Sequence, residues 1–124
     1  PLHGSSAASD VYKRQYKYMV KKYIIVQTHT NKKQVCEDIS RSLIEKRVAA
    51  CVNIYPAVLS IYRYNNEVVE DNEYLIHVKT TTDKFSEIRK IIERLHNYET
   101  PEIISLEILE GNEKYLKWIQ DEID

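Results

Sequence analysis

The chain has 124 residues, 43% of them hydrophobic and 30% charged, and this length and composition predict one domain with a single core. Its formal net charge is −1, and without a basic surplus it is not expected to bind nucleic acid through the phosphate backbone. Two glycines are too few for a glycine-rich phosphate loop, so no organic cofactor is expected. No apolar run approaches the roughly 20 residues of a membrane span.

Residues 1–18 are predicted to form a disordered tail that precedes the domain, which we place at 19–124. They show no helical or strand periodicity, and they precede the only methionine, Met19. The run from Ser5 to Gln15 looks like the translation of a transposon-type sequencing adapter. A natural disordered tail is the alternative.

The first predicted elements are a strand and an amphipathic helix. β-branched and apolar residues from Tyr23 to Thr28 favour a short buried strand. Thr30 or Asn31 then offers a side-chain oxygen that could cap a helix. Apolar residues recur every four positions up to Glu45, which predicts that one face of this helix is buried.

A long two-stranded ribbon is predicted next. The chain reads as extended from Val48 to Tyr64, and Pro56 marks an edge, a bulge or a bend because proline cannot donate to a strand ladder. Asn65 and Asn66 favour a tight hairpin, since asparagine tolerates positive φ. The return strand is expected to be interrupted at 70–73. The exposed edges of such a ribbon favour pairing with another subunit.

The remaining pattern predicts a second helix that ends at Leu95, a strand from Ile103 to Leu109 and a terminal helix. The resulting order β-α-β-β-α-β-α indicates an α+β fold of the ferredoxin-like type, with an antiparallel sheet and two helices on one face. The strands are apolar on both sides, so a partner subunit is expected to cover the other face.

Five separated segments, taken together, resemble the CutA family of divalent-cation tolerance proteins. They are Arg47–Ile54, Ser60–Arg63, Lys79–Thr81, Tyr98–Ile103 and Tyr115–Ile119. The resemblance implies a ferredoxin-like fold assembled as a homotrimer, and a role in tolerance of divalent metals, copper in particular. Two cysteines without CxxC spacing fit a reducing cytoplasm.

Departures from the family pattern are expected to have structural effects at two turns. Tyr64 and Asn66 stand where the family has tryptophan and glycine, so the hairpin turn is expected to form with some strain. Asn97 replaces the proline of the family's His-Pro-Tyr motif, and this change is expected to loosen the loop that holds His96.

Copper requires thiolate, imidazole or oxygen donors. The metal ligands that the resemblance implies fall at Thr28, Leu95 and His96, and of these only His96 carries over. It is a candidate ligand if three copies meet around a trimer axis, and a hydrogen-bonded cleft histidine is the alternative. His29 is a candidate replacement donor or a surface residue. Cys51 is a candidate ligand or a core residue.

Lys79, Tyr98 and Glu102 are predicted to converge at a subunit cleft, where they could hold a small anion or metabolite. An interface ion pair is the alternative. No Ser/His/Asp order, paired-carboxylate spacing or zinc signature is present, so the chain is not expected to be an enzyme.

Together with the resemblance to the CutA family, the sequence predicts a cytoplasmic CutA-like homotrimer that binds Cu(II) or another divalent metal weakly and supports metal homeostasis. One alternative is a trimeric sensor like the signalling proteins called PII, which would bind small molecules or anions between subunits. Another is a structural trimeric scaffold. The expected partners are further copies of the chain and divalent metal ions, without nucleic acid or membrane.

Overall fold

A computed structural model describes residues 22–124, so the predicted tail at 1–18 lies outside the described residues. The described part contains four strands and three α-helices in the predicted order. Their bounds are β1 Tyr23–Thr30, α1 Lys33–Glu45, β2 Cys51–Tyr64, β3 Glu67–Thr81, α2 Phe85–Leu95, β4 Ile104–Ile108 and α3 Glu113–Glu122, with a short 3₁₀ turn at Thr82–Lys84 before α2.

The four strands form one antiparallel sheet in the order β2-β3-β1-β4. This order places the first strand in the interior, between β3 and β4, and leaves β2 and β4 at the two edges. The predicted ferredoxin-like α+β fold is confirmed.

The core lies between the sheet and the two helices α1 and α2. Residues of β1 alternate between buried and half-buried along its whole length, because successive strand side chains point to opposite faces. The helices contribute apolar residues at steps of three and four to the same interior. Twelve buried side chains form this cluster: Ile24, Val26, Cys36, Ile39, Leu43, Val48, Ala49, Ile76, Val78, Ile88, Ile91 and Ile92.

In the two-stranded ribbon formed by β2 and β3, strand β3 runs without interruption from Glu67 to Thr81. The expected interruption at 70–73 is wrong, because these residues pair in register with residues 58–61 of β2 and the ladder satisfies their backbone groups. The irregularity lies instead in β2, where the register shifts between Tyr55 and Val58 and Ala57 has a φ of 60°. Of the edge, bulge or bend predicted at Pro56, the structure shows an edge strand with a register shift at that position.

The hairpin turn forms as the two asparagines predict. Asn65 and Asn66 have φ angles of 49° and 63°, and this left-handed pair gives the primed turn that suits the twist of the strands. Asparagine tolerates this region better than other non-glycine residues, so the turn forms without glycine.

The sheet face opposite α1 and α2 is only partly covered. Helix α3 contacts β3 on this side, and its Tyr115 ring lies 5.6 Å from Lys79 Nζ. Large apolar side chains elsewhere on the ribbon, on β4 and directly after β4 remain exposed in the single chain: Ile54, Tyr55, Leu59, Ile61, Tyr62, Tyr64, Val68, Ile104, Leu106 and Leu109. Within residues 22–124, no helix has the length and apolar character needed to cross a membrane.

Candidate functional site

A hydrogen-bonded network crosses the open face of the sheet and joins two histidines. Gln27 and His29 of β1 point to this face, because they alternate with the buried Val26 and Thr28. The Gln27 amide nitrogen donates to Glu102 Oε2 at 3.3 Å, so its oxygen, 2.9 Å from His77 Nε2, accepts the proton of that ring.

His29 is held by a carboxylate through one ring nitrogen. Its Nδ1 lies 2.6 Å from Glu102 Oε2, so Nδ1 carries the proton that it donates to the carboxylate. Within residues 22–124, no hydrogen bond involves its other nitrogen, Nε2. Glu102 therefore fixes the tautomer in which the Nε2 lone pair remains available to a further group.

Both ring nitrogens of His96 are engaged inside the fold. Nε2 donates to the backbone oxygen of His29 at 2.6 Å, and Nδ1 accepts from the backbone N–H of Tyr98 at 3.0 Å. Burial lowers the pKa of His96, although the His29 carbonyl and the Glu73 carboxylate favour its charged form. The neutral ring thus fixes the loop after α2, and a metal on Nδ1 would displace the Tyr98 bond.

The loop after His96 is anchored by the residue that replaces the family proline. Asn97 accepts a hydrogen bond from Thr30 Oγ1 at 2.6 Å and donates one to Asn31 Oδ1 at 2.9 Å. The expected loosening is therefore wrong, because the amide side chain makes two contacts to the end of β1 that proline could not make.

A cavity of about 730 Å³ lies beside this loop. Three tyrosines and four carboxylates line it together with His29: Tyr62, Tyr64, Tyr98, Asp71, Glu73, Glu99 and Glu102. The Tyr98 hydroxyl donates to Glu73 Oε2 at 2.6 Å, and burial together with this carboxylate raises the pKa of Tyr98 well above its usual range. The phenol therefore remains a neutral donor at physiological pH.

Within one chain, two of the three predicted cleft residues line the same cavity, and the third lies elsewhere. Tyr98 and Glu102 both line the cavity. Lys79 lies instead against the Tyr115 ring of α3, outside this wall. No lysine or arginine lines the cavity within the described part of the chain, so its charged groups favour a cation over an anion.

The cysteines do not join these groups. Cys51 is half-buried at the start of the edge strand β2 and lies outside the core cluster, so the prediction of a core residue, one of the two alternatives for it, is wrong. Cys36 is buried in α1, and burial raises the pKa of its thiol to about 11, helped by Glu37 and opposed by Ser40. That pKa makes Cys36 a poor nucleophile and metal ligand.

The family ligand positions Thr28 and Leu95 supply no metal donor at this site. Thr28 is fully buried on the helix side of the sheet, and Leu95 packs against the core. Among residues 22–124, no group of three or more histidine, cysteine and acidic side chains is arranged to hold a metal ion. One copy of the described chain therefore does not form a closed metal site.

Glu73 and Gln27 are the contributors that sequence reasoning missed. Glu73 was assigned to an interruption of β3, and Gln27 to an ordinary strand position. Glu73 could have been found from its position, because strand-like residues stand on both sides of it. A carboxylate inside such a strand can become buried, and a buried charged residue needs a partner.

A family profile described as CutA1 divalent ion tolerance protein matches residues 24–122 of the chain. The divalent-cation tolerance protein CutA of Thermus thermophilus is 49% identical over 88 residues, which are 71% of this chain and 85% of that protein. A CutA homolog of Xenopus laevis is 44% identical over 87 residues, covering 70% of this chain and 58% of that protein. The chain spans about half the length of the mouse and human CutA proteins that it matches.

Solved structures show the same fold. The Thermus thermophilus Cut A1 structure has a TM-score of 0.79 at 43% identity, covering 82% of this chain and 99% of that one. The CutA1 structure from Oryza sativa has a TM-score of 0.80 at 32% identity, covering 83% of this chain and 94% of that one.

Proposed function

The chain belongs to the CutA family of divalent-ion tolerance proteins, and from this premise we propose that it acts in metal homeostasis as a cytoplasmic homotrimer that binds Cu(II) or another divalent cation weakly. The observation that carries the proposal is the orientation of His29.

His29 has the arrangement that metal-binding histidines commonly show. Its Nδ1–H donates to Glu102 at 2.6 Å, and such a carboxylate fixes the orientation and the tautomer of the ring. Imidazole is a donor that suits Cu(II). Both ring nitrogens of His96 are hydrogen-bonded to backbone groups. His29 is therefore a better metal ligand than His96.

The remaining ligands would come from more than one copy. One chain provides the His29 nitrogen as a ligand, but residues 22–124 contain no cluster of three donors that could hold a metal ion. Such an incomplete set of ligands binds a metal weakly unless other copies of the chain provide the missing ligands. The apolar side chains exposed along the ribbon and the two unpaired sheet edges support assembly, since such edges are normally covered in a stable protein.

Small-anion sensing is less well supported than cation binding. The cavity wall holds four carboxylates and none of the described lysines or arginines, and Lys79 lies apart from it. An anion placed there would be repelled by the wall. The family description names ion tolerance, and we propose binding rather than catalysis as the activity.

Titration calorimetry with Cu(II) on the full chain tests the proposal. We expect His29→Ala to weaken Cu(II) binding at least tenfold, and Glu102→Gln to weaken it less because the ring remains. His96→Ala is the matched control, since it removes an imidazole whose nitrogens are already bonded. Equal affinity in the native chain and in His29→Ala would refute the role of His29.

A further inference from the structure

Glu102 fixes the tautomer of His29 from a position that needs support of its own. It lies in the loop between α2 and β4, and its side chain is 43% exposed. Groups on strands are held more precisely than groups on loops, so a loop carboxylate keeps its direction only where other residues hold it. Within the described residues, Glu102 makes one hydrogen bond besides that to His29, and it accepts this bond from the Gln27 amide. The direction of the carboxylate therefore depends on Gln27.

Gln27 lies between strand β3 and the loop that carries Glu102. In the sheet it pairs directly with His77 of β3 and with Ile104, the first residue of β4. Its amide nitrogen is 3.3 Å from Glu102 Oε2, the same oxygen that accepts the His29 proton. Its amide oxygen is 2.9 Å from His77 Nε2. Both ends of the Gln27 amide are therefore bonded, one to the loop and one to the sheet.

His77 holds the sheet end of this series of hydrogen bonds. It lies on the interior strand β3, and its ring meets the Tyr55 ring edge-on at 5.1 Å between centroids. Burial lowers the pKa of His77, so the ring is neutral and its proton lies on Nε2, where it is donated to Gln27. Without this donor the Gln27 oxygen would lose its described partner, and its flexible side chain could turn away from Glu102 toward water.

We propose that Gln27 and His77 are positioning residues of the metal site, and that they determine which nitrogen of His29 is available to the metal. His77 donates to Gln27, and Gln27 donates to Glu102. Glu102 held in this way accepts the Nδ1 proton of His29, which leaves the lone pair of Nε2 available. This inference rests on the proposed metal function, since His29 Nε2 is the proposed ligand atom.

NMR of the full chain with isotopically labelled histidine nitrogens tests the proposal, in a chelator and at about pH 8, where histidine is neutral. In the native chain we expect the His29 proton on Nδ1. His77→Phe keeps a ring against Tyr55 but removes the donor, so a substantial fraction of His29 should change to the Nε2–H tautomer. His77→Gln still offers an N–H to Gln27 and should restore the native tautomer. His96 should keep its Nε2–H tautomer in both variants, because its bond to the His29 carbonyl is independent of Gln27.

Calorimetry with Cu(II) on the same chains measures the consequence for binding. Loss of a group that directly orients a metal ligand lowers metal affinity by about 10–100-fold. His77 acts through two intervening side chains, so His77→Phe should weaken Cu(II) binding by only about three- to tenfold. His77→Gln should bind Cu(II) as the native chain does.

An unchanged His29 tautomer or an unchanged Cu(II) affinity in His77→Phe would overturn the proposal. A changed tautomer in His77→Gln would also overturn it, because the ring rather than its N–H would then be responsible. The tautomer is measured without metal, so this failure is distinct from that of the proposed function, which is an unchanged Cu(II) affinity in His29→Ala. Circular dichroism checks that His77→Phe folds. If it does not, Gln27→Leu takes its place, with the same expected changes and the same refuting results.

Discussion

Replacing His96 with alanine should destabilise the protein without weakening its metal binding. The substitution removes the donor to the His29 carbonyl, the acceptor for the Tyr98 amide and a ring contact with Tyr98 at 4.7 Å between centroids. Each hydrogen bond is worth about 0.5–1.5 kcal/mol, and an aromatic contact adds about 0.5–1.5 kcal/mol. We therefore expect a loss of roughly 1.5–4.5 kcal/mol in the free energy of unfolding.

Urea unfolding followed by circular dichroism at one fixed protein concentration measures this loss. His96→Gln is the matched control, because its amide can still donate to the His29 carbonyl while the Tyr98 amide loses its acceptor. It should show about half of the loss seen in His96→Ala. A change below about 0.5 kcal/mol in His96→Ala, together with weaker Cu(II) binding, would refute the structural role and identify His96 as a ligand.

Further predictions concern pH, thiol reactivity and the hairpin turn. The pKa values of His96 and His77 in the folded protein lie below the ordinary 6.5, so at lower pH the unfolded chain binds protons that the folded chain does not. The urea concentration at the midpoint of unfolding should therefore fall as the pH drops below about 6.5. An undiminished pH dependence in a His77→Gln/His96→Gln double variant would contradict this. In the Cys51→Ser variant, Cys36 is the cysteine that remains, and its thiol is buried with a pKa of about 11. It should resist a disulfide reagent at pH 7.5 in the folded variant and react once urea unfolds the chain. Rapid labelling of the folded variant would show that the thiol is accessible. Asn66→Gly should raise the free energy of unfolding by about 0.5 kcal/mol, because glycine adopts a φ of 63° without steric cost. A free energy of unfolding equal to or below that of the native chain would show that the turn is not strained.

The local patterns of the chain were sufficient to predict the order of its elements, although not the continuity of β3 through residues 70–73. The apolar alternation around Val26 and the four-residue repeat around Ile39 each depend on neighbours within a few positions, and a strand and a helix formed there. The boundary between them was wrong, because β1 continues through Thr30 and the helix begins after Lys32 without a side-chain cap. The turn at Asn65 and Asn66 was predictable for the same reason, because positive φ is a property of the residues themselves.

The candidate site depends on contacts that local patterns do not contain. The His96 ring is fixed by the carbonyl of His29, which is 67 positions away in the chain, and Glu73 is covered by Tyr98, 25 positions away. The role of Asn97 was mispredicted because its partners, Thr30 and Asn31, lie at the end of β1. Such pairings arise only when the sheet brings distant loops together.

Native mass spectrometry of the full chain with one equivalent of Cu(II) tests the central claim most directly. The account predicts an assembly of about 44 kDa, three times the 14.7 kDa of one chain, that carries copper in the native protein and loses it in His29→Ala. A 14.7 kDa monomer, or a trimer that holds copper equally well without His29, would contradict it.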